Sequence, residues 1–398
     1  MRLALLPGIA FLASLPAAQV LTDPSVGTLE LVTPISQAGK LDLIDGLAFD
    51  RFGNLLGALE ISGPAGGVVY IATGSGLVTP LFQGFSRVDQ LDLDLAGQFF
   101  GTREVAPSQT FDRLLGFTLA YDSSDHPLAS GTVATGLVTL AGIDHPEGLV
   151  VLKVNGDYGP AGTLLVGEDK SSGRLLKVGP GGTVTVLASG LARPEGMAFG
   201  SFNGALAPAL YVAETSNDRV RRVAANGTLT TLGLPGAVAL TNPDNLEFGP
   251  DGYLYVSEDR VVPDSRIVRI SASGTHTVFA TGFGQAAGLA FDPTSHFLYI
   301  AEQDFDRVWR VRFTDTIAPT LTTPGTIHAV RTTLAGTTVV FHVSASDNFD
   351  PRPTVTCRPA SGSLFPPGRT VVECRASDDN GNVTSSTIEV FVHTVRPR

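Results

Sequence analysis

The chain has 398 residues, 43% of them hydrophobic and 16% charged, a globular composition that excludes an intrinsically disordered protein. Its 45 Gly and 26 Pro favour turns and disfavour long helices. With 27 Lys+Arg against 38 Asp+Glu the net charge is −11, which would repel a phosphate backbone, so nucleic acid is not a partner. Residues 1–18 carry one charge, Arg2, then an apolar run from Leu3 to Leu15, then Pro16, Ala17 and Ala18. This pattern predicts a signal peptide and export. The run is shorter than the roughly 20 residues a membrane span needs, so the mature chain is expected to be secreted or at the cell surface with no membrane span.

A short strand led by an acidic or turn residue then recurs. It reads Asp45-Gly46-Leu47-Ala48-Phe49, Asp89-Gln90-Leu91-Asp92-Leu93, Glu147-Gly148-Leu149-Val150-Val151, Glu195-Gly196-Met197-Ala198-Phe199, Asp244-Asn245-Leu246-Glu247-Phe248 and Ala287-Gly288-Leu289-Ala290-Phe291. Successive starts lie 44, 58, 48, 49 and 43 residues apart. Each copy continues into a second strand ending at Glu60, Glu104, Glu168, Glu214, Glu258 or Glu302, and a third strand follows a turn, as in Arg219-Val220-Arg221-Arg222-Val223. Fourth strands such as Gly182-Thr-Val-Thr-Val-Leu187 and Gly136-Leu-Val-Thr-Leu140 close the first five units, while the sixth lacks one. A spare strand of the same type, Gly27-Thr-Leu-Glu-Leu-Val-Thr-Pro-Ile35, stands at the other end. Four-stranded units at this period predict an all-β, six-bladed β-propeller over residues 27–313, closed by its N-terminal strand.

The segments Pro194-Glu-Gly-Met-Ala-Phe199, Leu210-Tyr-Val-Ala-Glu214, Ser216-Asn-Asp-Arg-Val220 and Ala225-Asn-Gly227 resemble an NHL repeat. The six-unit whole is similar to the NHL and regucalcin/gluconolactonase-like propellers, a superfamily that specifies fold strongly and function weakly.

Residues 315–398 change character, with short Thr- and Val-rich strands at Thr337–Ser344, Thr354–Cys357, Thr370–Cys374 and Thr387–Val392. About seven strands in such a length predict a small β-sandwich. The run from Ala345-Ser-Asp347 through Val355-Thr-Cys357, Gly362-Ser-Leu-Phe365 and Val371-Val-Glu-Cys374 to Asp378-Asp-Asn-Gly-Asn382 is similar to the HYR domain, an immunoglobulin-like module whose resemblance implies adhesion outside the cell. Cys357 and Cys374 are the two cysteines and suit one disulfide in an oxidising compartment. Asn226 and Asn382 head glycosylation sequons where the host glycosylates.

Two rings of acids follow from the repeat. The glutamates ending the second strands are followed by an arginine in five units, pairing Glu104 with Arg113, Glu168 with Arg174, Glu214 with Arg219, Glu258 with Arg266 and Glu302 with Arg307 across a hairpin. These are expected to be structural salt bridges. Glu60 has no such cation and is expected to be unpaired. The acids opening the inner strands, Asp45, Asp89, Glu147, Glu195 and Asp244, would converge at one mouth of the central channel with no matching set of cations beside them. Converging like charges oppose ionisation, and protons, water or a hard cation with oxygen ligands relieve them. Calcium and a water-filled acidic channel therefore both stand open. In the regucalcin-like family a metal is held at this place in the blade, and the resemblance carries that role onto Asp45, Glu147, Glu195 and Asp244, with Asn245 adjacent.

Other chemistry is thin. His145, beside the mouth, reads as a turn residue, and no G-x-S-x-G, Walker or dinucleotide motif is present. The inserted segment from Val154 to Gly162 is expected to shape one side of a ligand surface. Whether the protein is an enzyme is left open by these residues. The first expectation is an exported recognition protein for a small molecule or an extracellular or cell-surface ligand. The alternative is a metal-dependent hydrolase of lactones or small esters, with Glu147 and Glu195 as the candidate catalytic carboxyls.

Overall fold

The structure, a computed structural model, describes residues 19–103, 114–137, 143–202, 207–233, 238–347, 349–350 and 352–394. The expected signal peptide at 1–18, the Glu104 and Arg113 pair, and the end of the fourth strand expected at 136–140 lie outside the described residues. Strands dominate, with four short 3-10 helices among the described residues, and no helix there is long and apolar enough to cross a membrane.

Six antiparallel sheets are built from consecutive strands. Their first strands are Ile44–Phe49, Val88–Leu93, Pro146–Val151, Pro194–Gly200, Pro243–Phe248 and Ala286–Phe291. Each adjoins the next in chain order, and the last packs beside the first. The apolar cores lie between neighbouring sheets: Phe49 and Val69 of the first meet Tyr299 and Val308 of the last, and Tyr211 of the fourth meets Val256 of the fifth. These strands are apolar on both faces because each sheet is covered on both sides. Tyr211, Tyr255 and Tyr299 occupy the same place in successive second strands and are fully buried, each ring meeting a Phe edge-on.

The N-terminal segment joins two sheets. Gly27–Leu31 supplies the outer strand of the last sheet, with Gly27 opposite Phe313 and Leu31 opposite Trp309. Just before it, Val20–Leu21 adds a fifth strand to the preceding sheet, with Val20 opposite Thr281. Both pairings cover edges that would otherwise be open.

The C-terminal residues form a four-stranded sheet in which Ile327–Val330 runs parallel to Val383–His393, followed outward by Gly368–Ser377 and Thr354–Arg358. Two two-stranded pairings accompany it. The single strand expected over Thr337–Ser344 is divided: Thr337–Thr338 pairs with Leu364–Phe365, whereas Ser344–Ser346 pairs with Thr320–Thr322. Alternation continues across the gap, with Val339 buried and Val340 exposed, so the side-chain pattern of a strand persists where the pairing partner changes. Cys357 and Cys374 stand opposite each other on adjacent strands and are joined by the disulfide. Phe349 reaches back to Phe313 and His296 of the last propeller sheet.

Candidate functional site

One backbone device recurs at the entry to each inner strand. Leu43, Arg87, His145, Arg193, Asn242 and Gln285 all adopt left-handed conformation, with φ between 46° and 55°. Each stands two residues before Asp45, Asp89, Glu147, Glu195, Asp244 or Ala287. Non-glycine residues held there are strained and persist where surrounding bonds over-determine them. The bonds are present: the carbonyls of Leu43, His145, Arg193, Asn242 and Gln285 accept from the backbone N–H of Glu60, Asp169, Thr215, Asp259 and Gln303. The kink turns the opening acid of each inner strand to one mouth of the ring and ties it to the end of the second strand.

The five opening acids are close enough for their electrostatics to be coupled. Burial raises Asp45, Asp89, Glu147 and Asp244 well above the ordinary carboxyl range, and their mutual repulsion adds to it. Burial pushes Glu195 up to about 8, opposed by the Thr215 hydroxyl and the Arg193 guanidinium. Within this ring, oxygens of Glu147, Asp169 and Glu195 lie within 4.8 Å of one another, the arrangement of a group that could hold a metal ion. Asp45, Asp89 and Asp244 do not join that tight group. Asp45 instead accepts from Gln303 at 2.8 Å and Gln90 at 3.3 Å. Asp89, 2% exposed, keeps one buried oxygen without a hydrogen-bond partner.

Arg193 stands at the mouth, reaching Asp169 at 2.6 Å and Glu195 at 2.9 Å. Two expected pairings differ in the structure. Glu60 is not unpaired, because Arg87, from the turn entering the next sheet, meets it at 2.5 Å. Its cation comes from the neighbouring unit, not from across its own hairpin. Glu302 does not pair with Arg307; its carboxylate accepts the Trp309 indole N–H at 2.7 Å and the Gln19 amide at 3.0 Å, while Arg307 lies over the Phe305 ring. The salt bridges of Glu168 with Arg174, Glu214 with Arg219 and Glu258 with Arg266 are formed, at 2.5 to 2.6 Å. His145 is a turn residue hydrogen-bonded to Asp144.

Asp169 was missed by the repeat pattern. It follows Glu168, the last residue of its second strand, as Thr215, Asp259 and Gln303 follow Glu214, Glu258 and Glu302. Those four side chains bond across the mouth: Asp169 to Arg193, Thr215 to Glu195, Gln303 to Asp45, and Asp259 to Gln285 at 3.0 Å. The mouth therefore carries a second tier of polar residues above the acids.

Below the acids the channel is bridged. In four inner strands the next residue is Gly46, Gly148, Gly196 or Gly288, where a Cβ would run into a backbone carbonyl of the adjoining inner strand. In the other two it is Gln90 and Asn245, and the Asn245 amide donates to Gln90 Oε1 at 2.8 Å. Beyond this bridge lies a cavity of about 330 Å³ lined by Phe49, Leu93, Val151, Lys153, Phe199 and Glu247. The segment from Val154 to Gly162 follows the far end of its inner strand, Pro146–Val151, and its first residue, Val154, lines that cavity. Its Tyr158 is buried and donates to the Val223 carbonyl at 2.6 Å.

No family model matches the chain, and no curated protein matches it. Solved structures do. An auxiliary nutrient binding protein from Bacteroides thetaiotaomicron matches with a TM-score of 0.53 at 12% identity, over 72% of this chain and 76% of that one. A gluconolactonase from Xanthomonas campestris matches with a TM-score of 0.50 at 14% identity, over 76% of this chain and 99% of that one. At such identities the likeness shows the fold alone: an all-β propeller of the kind found in gluconolactonase-like structures.

Proposed function

We propose that the chain is an exported, metal-dependent hydrolase of lactones or small esters, built as a six-bladed propeller over residues 27–313 with an HYR-like, immunoglobulin-type module over 315–398. The observation that carries this is the convergence of Glu147, Asp169 and Glu195 at the channel mouth, with oxygens within 4.8 Å of one another and Arg193 spanning two of them. An all-oxygen, all-carboxylate donor set fits a hard divalent cation, calcium first. The buried oxygen of Asp89, which has no hydrogen-bond partner, marks the same mouth as short of positive charge. The disulfide supports the extracytoplasmic placement.

Glu147, Asp169 and Glu195 would hold the ion, with Asp45, Asp89 and Asp244 completing the negative field. Once bound, such a cation supplies the charge that lets these carboxyls ionise and polarises an ester carbonyl. The chain's own groups divide the remaining work. Arg193 fixes Asp169 and Glu195 through a bidentate contact with the first and a single one with the second. The Thr215 hydroxyl holds the other oxygen of Glu195. Glu147 is half-buried and its carboxyl accepts no hydrogen bond among the described residues. The oxygen it does not offer to the ion is placed to take a proton from water as that water's oxygen bonds to the acyl carbon, and to return it to the alkoxide as the acyl–alkoxide C–O bond breaks. The amide bridge of Gln90 and Asn245 leaves the mouth as the approach for substrate.

The test is hydrolysis of a panel of γ- and δ-lactones and nitrophenyl esters by the metal-stripped protein, with and without added Ca²⁺. Activity that needs the ion and falls about 100-fold or more in Glu147→Gln, with the fold unchanged by circular dichroism, is expected. A panel left untouched by calcium-loaded protein overturns the hydrolase. Recognition of a small extracellular ligand is the second reading, favoured by the likeness of the same fold to a nutrient binding protein.

A further inference from the structure

A second acidic cluster lies where the propeller ends. Asp315 stands two residues beyond the last propeller strand, Arg307–Phe313; Asp347 follows the strand Ser344–Ser346, and Asp378 follows Gly368–Ser377. Three segments distant in sequence thus bring carboxylate oxygens within 4.8 Å of one another. No lysine, arginine or histidine forms an ion pair with Asp347, Asp350 or Asp378 among the described residues.

Hydrogen bonding satisfies only part of this cluster. Asp347 Oδ2 accepts the backbone N–H of Phe349 at 2.8 Å and of Asp350 at 3.1 Å, but its Oδ1 is sealed from solvent with no hydrogen-bond partner. Asp350, in the same turn and only 3% exposed, repeats the pattern: Oδ1 accepts from Arg352 N–H at 2.7 Å and Oδ2 is buried without a partner. A native chain rarely leaves a buried carboxylate oxygen unsatisfied, and two in one turn beside converging carboxylates call for a ligand that accepts electron pairs. The scaffold around them is built. Asn382 donates its backbone N–H to Asp378 Oδ1 at 2.8 Å and its amide to Asp378 Oδ2 at 2.9 Å and to the Asp315 carbonyl at 3.0 Å. Asp378 is 7% exposed, so its carboxylate is fixed, not a mobile surface charge.

We propose that Asp315, Asp347 and Asp378, with Asp350 in the same turn as Asp347, form a calcium site at the junction of the propeller and the C-terminal module. The donors are all hard oxygens, they come from separate loops with room for water ligands, and their charge exceeds what one divalent ion neutralises, all of which suit calcium. The ion's role is to fasten the linker. Asp315 belongs to the segment leaving the propeller, while Asp347 and Asp378 belong to the module, whose Phe349 packs against propeller Phe313 with ring centroids 5.2 Å apart. The site is distinct from the channel mouth and stands whether or not the mouth holds a metal.

Calorimetric titration of the metal-stripped full chain with Ca²⁺, in wild type, Asp347→Asn, Asp378→Asn and Glu147→Gln, tests it. Each junction variant is expected to lose one binding event or weaken it by about tenfold or more, while Glu147→Gln keeps that event. In wild type and Glu147→Gln, calcium should also slow proteolytic cleavage within residues 313–320, and in Asp347→Asn it should not. Junction variants that bind calcium with wild-type stoichiometry and affinity overturn the site. Because a variant could fail to fold, wild type alone also decides: linker cleavage that calcium leaves unchanged equally overturns it.

Discussion

Replacing Glu195 by Gln perturbs a charge whose energetic weight the structure sets. Glu195 is 5% exposed, and burial pushes its carboxyl up to about 8 from an ordinary 4.5. Between those two pH values the folded chain holds a proton that the unfolded chain has released, so stability falls as pH rises and the loss is complete only above about pH 8. At about 1.4 kcal/mol per pH unit the penalty sums to about 5 kcal/mol. That is comparable with the whole stability of a domain, about 5–15 kcal/mol. Glutamine keeps the shape but cannot ionise, and like the protonated acid it offers one carbonyl oxygen where the carboxylate offers one to Thr215 and one to Arg193. Urea unfolding, followed by Trp309 fluorescence in the presence of chelator, should give nearly equal stabilities at pH 5. At pH 8.5 Glu195→Gln should be more stable by several kcal/mol, on the order of the 5 kcal/mol above. Parallel pH dependences in the two proteins would refute the claim that this carboxyl is buried among like charges.

Two further outcomes test the architecture. Deleting residues 19–31 removes the Gly27–Leu31 pairing with Arg307–Phe313 and the Val20–Leu21 pairing with the preceding sheet. Roughly five ladder hydrogen bonds at about 1 kcal/mol each are lost, so the propeller should melt earlier in one cooperative transition, and an unchanged melting temperature sinks the closure. Replacing both Cys357 and Cys374 by Ala opens a loop with a sequence separation of 17 residues, which costs about 3 kcal/mol on the loop-entropy model. Calorimetry should show the C-terminal transition lowered and the propeller transition unmoved; a shift of both would mean the two units unfold as one.

The four-stranded unit was legible because its period survives in the apolar residues and in the acid that opens each inner strand. Glu147 and Glu195 could be found for the same reason, and the structure brings both into one cluster. Asp169 was hidden by position: a pattern anchored on Glu168 stops one residue short of the side chain that turns into the mouth. The entry kink has no chemical signature, since Leu43, Arg87, His145, Arg193, Asn242 and Gln285 share a conformation and nothing else. The ion pairs show the limit of local pairing rules. Glu60 takes its cation from Arg87, 27 residues on, and Glu302 takes an indole N–H from Trp309, although Arg307 stands directly opposite it in the ladder. Register fixes which backbones face each other, while side-chain reach decides which groups meet.

The amide bridge under the acids explains why the mouth is so strongly biased toward protons or a cation. In four of the inner strands, glycine lets neighbouring backbones close around the axis, leaving no side chain to fill it. Gln90 and Asn245 fill it from the other two, the Asn245 amide donating to Gln90 Oε1. The Gln90 amide in turn donates to Asp45. Glu147, Asp89 and Asp244 receive no donor from this floor, and the bridge separates them from the cavity beyond. Burial first, and repulsion by neighbouring carboxyls second, oppose ionisation of all three. On the proposed function, a cation entering through the open mouth would offset both penalties, and ionisation of the ring would then be conditional on what it binds.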